Sequence, residues 1–539
     1  MRRLALTAGF FEPAYQPVSE AELAELLERS LARLSREDAG PAPDVQQLAE
    51  LRWWLTRYRD GGGALCWSSC PCKEPQAHLR AGGRVLAGYS ELGDILTGEA
   101  GLGWAPGLSA ALEPQLDLRV GRWWASVTVR AQGRLREGGQ TFSHPGGELH
   151  DLTWPGWPVP TGRAQVRRAR LRGDAWIIDA PQLVAGVRLG SWGLSAGWAP
   201  RRTGPGLTGA LALDRSGQSF PAVTLRRTRP VVWSGIWRYL GPSALLVRTG
   251  VLSAQNTRFR QGDGSFWESY AHPWFFQWLI GWQPVSWARV TFSHTAMATA
   301  IDGTLWPDLL QINFPKLGTT WKEKREGPVT DRIFSAQMEF RWRRAPWPVL
   351  PAAAGRAWWD YAGTDFMPSG PGGLIPEITI PASVAGVELV DARWDLAVEY
   401  AELEHNAALW YTNGGYSDGY SHEGWVLGHE LGGSGEAWTA VVRLRPRGWP
   451  VELACQAATA TWGMPHQTPG QGERQSLGLT VSNLPGLQRA AVPGCTPVRW
   501  SFTAEVLRER AAPVSDDPAQ PAPRGGKKDW WRAYVKLAY

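Results

Sequence analysis

From about residue 77 to the end of the chain, apolar side chains recur at every second position and the positions between them carry charge. Gln115–Val120 sets Leu116, Leu118 and Val120 against Asp117 and Arg119. Phe334, Ala336, Met338, Phe340 and Trp342 oppose Ser335, Gln337, Glu339 and Arg341, and Trp394, Leu396, Val398 and Tyr400 oppose Asp395, Ala397 and Glu399. Trp500, Phe502 and Ala504 alternate in the same way with Arg499, Ser501, Thr503 and Glu505. A period of two places alternate side chains on opposite faces of a strand. Packed as a sandwich, so many strands would bury unpaired charge, which is costly. Closed into a membrane barrel, they turn the charged face to a polar lumen and the apolar face to lipid.

The last strand carries the same alternation to the carboxyl end. In DWWRAYVKLAY, Trp531, Ala533, Val535, Leu537 and Tyr539 share one face, and Arg532, Tyr534, Lys536 and Ala538 the other. In an outer-membrane barrel the final strand closes against the first, which gives an apolar ending a purpose. The ending at Tyr539 also resembles the aromatic-terminated signal read by the barrel insertion machinery. Connectors differ in length: Arg445–Gly448 and Ala345–Trp347 are tight, whereas Arg508–Asp529 and the Gly/Pro-rich stretches 364–384 and 463–473 are long. Short turns on the periplasmic side and long loops outside are the pattern of such barrels. The chain holds 33 Trp among 539 residues yet has a mean hydropathy of −0.27, as aromatic girdles and a lipid-facing band around a polar lumen would give. The longest apolar run, WFFQWLIGW at 274–282, is broken by Gln277 and falls short of the ~18 residues a helical span needs.

The first 60 residues read differently. Ser19-Glu20-Ala21-Glu22 is a capping box followed by Leu23, Leu26, Leu27, Leu31 and Leu34 at helical spacing. Asp44 opens a second helix with Val45, Leu48, Leu51, Leu55 and Tyr58 on one face, and Gly61-Gly62-Gly63 ends it. The expected organisation is a periplasmic helical hairpin or plug over 1–62 and a transmembrane barrel over 63–539. RRLALTAGFF is short for a signal and lacks a small-x-small cleavage site, so the signal peptide is expected upstream of Met1. Cys66, Cys70 and Cys72 crowd into CWSSCPC without a second ligand pair, which argues against zinc; two of them could pair, and the sequence does not say which. Cys455, in phase with Val451 and Leu453, reads as a strand-face residue. Net charge is +6, and Arg far outnumbers Lys. No basic run with interleaved aromatics marks a nucleic-acid site.

Three stretches carry a resemblance. RLGSWGLSAGWAPRRTGPGLTGALALDRSGQSFPAVTLRRTRP at 188–230 has a strand, a Gly-Pro-Gly turn and a further strand before a Pro. LGPSALLVRTGVLSAQNTRFRQGDGSFWESYAHPWFFQWLIGWQPVSWARVTFSHTAMA at 240–298 pairs strands that end in a Ser/Thr–Ala–Met element. LAVEYAELEHNAALWYTNGGYSDGYSHEGWVLGHELGGSG at 396–435 has a Glu-Tyr strand, a Trp-Tyr pair, a Gly-Tyr segment and a Gly-His-x-x-Gly-Gly turn. In this order they resemble the capsule assembly Wzi family of outer-membrane proteins. The resemblance implies a closed antiparallel barrel of about 18 strands, an even number as such barrels require, with an N-terminal helical plug. It also implies a lectin-like role in holding capsular or extracellular polysaccharide at the surface, with no catalysis and no cofactor. The chain departs from the family at Arg201-Arg202, where a Trp-Trp-Gly-Pro run is common, and at Ser216-Gly217, where an Asn-Ala pair is common.

Candidate polysaccharide-binding residues follow. Trp410, Tyr411, Tyr416, Tyr420 and His422 lie among Gly and Asn rather than on a clean alternating strand, so their rings are expected to face away from lipid and to stack on sugars. Most other Trp fit girdle or packing positions. Arg201 and Arg202 are expected to meet uronate carboxylates through planar forks. His422-Glu423 and His429-Glu430 stand seven residues apart in a Gly-rich stretch, not the spacing of a helical metal motif, so no metal is predicted. GPGLTG at 204–209 lacks the Lys of a phosphate loop. The expected function is a monomeric surface anchor for polysaccharide in outer-membrane lipid; a sugar-selective outer-membrane porin is the alternative.

Overall fold

The structure is a computed structural model that describes Tyr15–Gln16 and residues 77–137, 176–299, 329–342, 354–403, 410–462, 472–484, 499–511 and 527–538, with short gaps inside these ranges. Eighteen strands close into one antiparallel barrel. In chain order they are β1 Ala77–Ser90, β2 Gly107–Val120, β3 Trp123–Glu137, β4 Ile177–Leu189, β5 Trp192–Trp198 and β6 Ala222–Arg227. Next come β7 Ser243–Val251, β8 Trp274–Val285, β9 Ala288–Thr299, β10 Val329–Trp342, β11 Ala354–Ser369 and β12 Ile375–Val390. The last six are β13 Trp394–Glu402, β14 Gly435–Leu444, β15 Val451–Trp462, β16 Gly472–Asn483, β17 Arg499–Ala511 and β18 Lys527–Ala538. Each strand pairs with its chain neighbours, and β18 closes on β1 through Val85↔Leu537 and Ala87↔Val535. Closure leaves no unpaired strand edge in hydrocarbon.

The alternation read from the sequence is realised in space. On β2, Leu108, Leu112, Leu116 and Leu118 are exposed while Ser109, Ala111 and Glu113 are buried. On β10, Ser335, Gln337 and Glu339 point inward and are buried, and Phe340 is exposed outward. Trp531, Val535 and Leu537 of the last strand belong to the outer belt, as do Leu477, Leu479, Phe502 and Val506 beside them. Exposed apolar residues recur on strands all around the wall, the arrangement of a barrel embedded in an outer membrane. Cys455 is exposed and pairs with outward Val442, so it does sit on a strand face.

One rim of the barrel carries tight turns at 121–122, 190–191, 286–287 and 391–393, and the other carries the long connections 199–221, 252–273, 300–328 and 403–434. We call the long-loop end upper and the short-turn end lower. Gly121 and Gly190 close two of the lower turns with φ of +56° and +62°, which a side chain rarely tolerates. The predicted helices and the boundary at residue 62 lie outside the described residues, as do Cys66, Cys70 and Cys72. Of the first 76 residues the structure describes Tyr15–Gln16, which pair antiparallel with Arg202–Thr203 inside the barrel.

The charged inward phase predicts a polar lumen throughout, and the structure corrects this. Loops 199–221 and 403–434 fold inward from the upper rim and build an apolar core inside the wall. Leu211, Leu213, Phe220, Trp410, Tyr411, Tyr416, Tyr420 and Leu427 pack there against Phe275, Met297, Ile333, Ala362, Val384 and Ala401, the inward residues near the upper ends of β8–β13. Below this collar the same strands turn charged residues inward and pair them. Arg356 lies 2.8 Å from Glu388 and 3.6 Å from Glu339, which also holds Arg289 at 3.0 Å, and Arg445 binds Asp395 and Glu452.

Candidate functional site

The seven residues singled out in the sequence all reside in the two inward loops. Trp410 is completely buried, and its Nε1 donates to Pro381 O at 3.1 Å. Tyr411 Oη donates to Leu211 O at 2.8 Å and accepts from the His429 backbone N–H at 2.8 Å. Tyr420 Oη donates to Ala212 O at 2.8 Å, and Tyr416 Oη to Thr299 Oγ1 at 3.2 Å. Trp410 and Tyr411 meet edge to face at 5.5 Å, and Tyr411 and Tyr420 stack at 5.9 Å. Burial raises the pKa of all three phenols, so each remains a protonated donor. The rings are buried inside the wall, and their contacts in this conformation are with one another, with the loops and with inward residues of the wall strands.

The arginines are also internal. Arg201 donates to Phe220 O at 2.6 Å and Gly197 O at 2.7 Å and lies 4.8 Å from the centre of the Phe220 ring. Burial lowers its pKa to about 9. Arg202 donates to the carbonyls of Gly206 and Gly209 and stands 3.3 Å from Asp214. Both thus tie loop 199–221 to itself and to the end of β5.

Three connections lock together. Asp214 N–H donates to Leu427 O at 2.7 Å, joining loop 199–221 to loop 403–434. His422 Nδ1 accepts the Ser253 N–H at 2.9 Å, and Ser253 Oγ accepts from Glu423 N–H at 2.8 Å, joining 252–273 to 403–434. His429 Nδ1 accepts from Leu431 N–H at 3.1 Å, which leaves Nε2 as the protonated nitrogen 3.2 Å from Thr208 Oγ1. Burial, aided by the Arg202 charge and opposed by Glu399 and Asp214, holds His429 below its ordinary pKa of 6.5. Thr208 Oγ1 in turn donates to Glu399 of β13 at 2.5 Å, and Glu399 also accepts the Leu207 and Thr208 N–H groups and Trp358 Nε1. One wall carboxylate therefore caps the GPGLTG turn.

Two glycines make this contact possible. A Cβ on Gly209 would come within 2.4 Å of the His429 ring, and one on Gly428 within 2.2 Å of Tyr411 Oη. Tyr411 itself holds φ at +59°, a left-handed conformation unusual for an aromatic residue and sustained by the surrounding contacts. The sequence reading missed Leu211, Leu213 and Phe220 as core, and Thr208, Glu399 and His429 as the joint. ALAL at 210–213 is an apolar run directly after a Gly-rich turn, too short for a wall strand, and that was the available signal.

No family model matches the chain, and no curated protein matches it. Among solved structures, it is similar to Wzi of Escherichia coli, described as an outer-membrane protein involved in group 1 capsule assembly and a carbohydrate-binding β-barrel. That similarity has a TM-score of 0.60 at 15% identity and covers 100% of this chain and 97% of the other. The fold is that of the Wzi barrel. The chain also resembles OccK2 (OpdF) of Pseudomonas aeruginosa in complex with glucuronate, at 8% identity and TM-score 0.47, covering 86% of this chain and 97% of that one. OccAB4 of Acinetobacter baumannii aligns at 9% identity and TM-score 0.44, over 87% and 99%.

Proposed function

We propose that this protein is a lectin-like outer-membrane barrel that holds capsular or extracellular polysaccharide at the cell surface without cleaving it. The observation that carries this reading is the apolar core in the upper lumen. A wall that draws two surface loops inward and locks them with Tyr411, Tyr420, His422 and His429 presents a fixed floor to the outside, which suits retention of a polymer. Wzi, whose barrel this chain shares, is described as carbohydrate-binding, and this supports the same reading. In it, Trp410, Tyr411, Tyr416, Tyr420, His422, Arg201 and Arg202 serve binding by holding the floor in shape, since their rings and forks are engaged within it. An acidic polymer fits the preference for Arg over Lys. Weak contacts repeated along a polymer and across many barrels convert modest affinity into retention.

A sugar-selective porin is the second reading, favoured by the arc opposite the core. There Gln456, which pairs with inward Val441 and shares its phase, is exposed to the lumen. Two measurements separate the readings. A deletion strain of an anchor sheds its polysaccharide into the medium, and the pure barrel shows little steady conductance in a planar bilayer. Retained polymer in the deletion strain overturns the anchor, and large steady conductance points to the porin. The triple variant Trp410→Ala, Tyr420→Ala, Arg202→Ala should bind glycan less; normal binding would remove these residues from the site and leave the function standing.

A further inference from the structure

The connection between β6 and β7 runs along the lower rim, and its 3-10 helix Gly235–Leu240 carries Ile236, Trp237 and Tyr239 at 76%, 62% and 69% exposure. Three large apolar side chains on one short turn are costly to leave in water. Trp233 fixes the direction in which the segment lies. Ser243, the first residue of β7, pairs with Trp282 and shares its phase with Val247, an exposed residue of the lipid-facing belt. Ser243 therefore points outward, yet it is buried. Its cover is Trp233, whose Nε1 donates to Ser243 Oγ at 2.7 Å, so the indole lies against the outer surface of the wall.

The backbone holds this placement. Val231 and Ser243 exchange hydrogen bonds of 2.8 and 3.0 Å, and Gln283 N–H donates to Pro242 O at 3.0 Å. Gly241, with φ of +69°, passes so close to Gln283 that a Cβ would stand 1.8 Å from its carbonyl oxygen. The surface around the turn continues the aromatic girdle: Trp282 packs 5.2 Å from Phe292, and Trp287 6.1 Å from Phe340. Cations accompany the rings. Arg227, opposite Trp192 in the outward phase, lies 4.9 Å from the centre of that ring, and Arg238 lies 5.0 Å from that of Tyr239.

We propose that residues 231–240 form an interfacial foot embedded in the glycerophospholipid leaflet on the periplasmic side, with Ile236, Trp237 and Tyr239 at the acyl boundary and Arg227 and Arg238 at lipid phosphates. Aromatic rings with one apolar and one polar end settle at this depth, and Arg is suited to phosphate. Ordinary short turns at the same rim, such as 190–191 and 286–287, span the wall edge without an added helix; this one reaches out from it.

The test uses the full chain with its five cysteines replaced by Ala, carrying Ile236→Cys with a nitroxide label, refolded into vesicles of phosphatidylethanolamine and phosphatidylglycerol. Both leaflets share that composition, so orientation in the vesicle does not matter. Oxygen should relax the label several-fold more effectively than a water-soluble nickel chelate. A label reached freely by the chelate overturns the proposal and leaves the surface to a periplasmic protein. The same label in a Trp237→Ser, Tyr239→Ser background should lose its oxygen preference while the barrel keeps heat-modifiable migration on a mild detergent gel. An unchanged preference in that folded variant also overturns the foot, because the two rings would then not set its depth.

Discussion

The upper and lower levels of the lumen are lined by the same phase of the same strands and are filled in opposite ways. Along β10 the inward residues run from Ile333 at the collar through Ser335 and Gln337 to Glu339, and along β12 from Val384 to Glu388. At the collar, apolar contact and neutral hydrogen bonds from tyrosines stabilise two loops that arrive from outside. Lower down, the GPGLTG turn of loop 199–221 touches the wall, where Pro205 O accepts from Arg356 Nη1 at 3.1 Å, and guanidinium–carboxylate pairs bridge neighbouring strands. Apolar burial gains from every buried surface and tolerates small shifts, whereas a buried ion pair depends on geometry and leaves a costly orphan when one partner is lost. The difference makes the collar a docked floor whose loss leaves the wall standing, and the lower belt a brace of the wall itself.

Four experiments probe that contrast. Trp410→Ala removes a completely buried ring from the collar and should cost about 3–5 kcal/mol, mostly in loop docking. Proteolysis of loop 403–434 should accelerate while the barrel still migrates as a folded species; an unaffected loop would show that the collar is not held by this core. Glu388→Ala in the lower belt removes the closer carboxylate partner of Arg356 and should cost about 3 kcal/mol. Here urea unfolding of the whole barrel should shift, and loop proteolysis should change less. The reverse ranking would mean that the collar braces the wall.

Acid should act on the collar. Because His429 titrates below 6.5 in the folded protein, its contribution is fully present above that value and is lost as pH falls below it toward the folded pKa. Protonation would also place a second proton against Leu431 N–H. Loop cleavage should therefore rise as pH is lowered from 7 to 5, and His429→Gln should flatten that dependence. A steep dependence that survives the substitution would assign the titration to another group. Tyr420→Phe, the mildest change, leaves Ala212 O without its donor and should cost about 1 kcal/mol by urea unfolding monitored through loop protection.

Much of the wall was legible in the sequence because one physical rule governs it. Asp117 and Arg119 between Leu116, Leu118 and Val120, or Glu399 between Val398 and Tyr400, state which face meets lipid, and closure then follows from the need to satisfy every strand edge. The collar was only half legible. The absence of alternation around Trp410, Tyr416 and Tyr420 did place their rings away from lipid. Their actual partners, Pro381 O, Thr299 Oγ1 and Ala212 O, lie at least 29 residues away in the chain, and no local pattern reports them. The five aromatic candidates were recognised by ring type, and ring type does not distinguish a face offered to a sugar from one packed into a core. The charge on the inward phase suggested a polar interior because it says nothing of what folds in from the rim.

The interlocking of loops 199–221 and 403–434 has a consequence in time. Tyr411 finds Leu211, and Tyr420 finds Ala212, across some two hundred intervening residues, and chain-entropy cost makes such distant encounters slow until something else brings the segments together. The intervening strands β6–β13 are that something: only when they stand in register do the two loops hang over the same opening. Docking of the loops is then a late event of assembly, and the first to reverse when the protein is stressed.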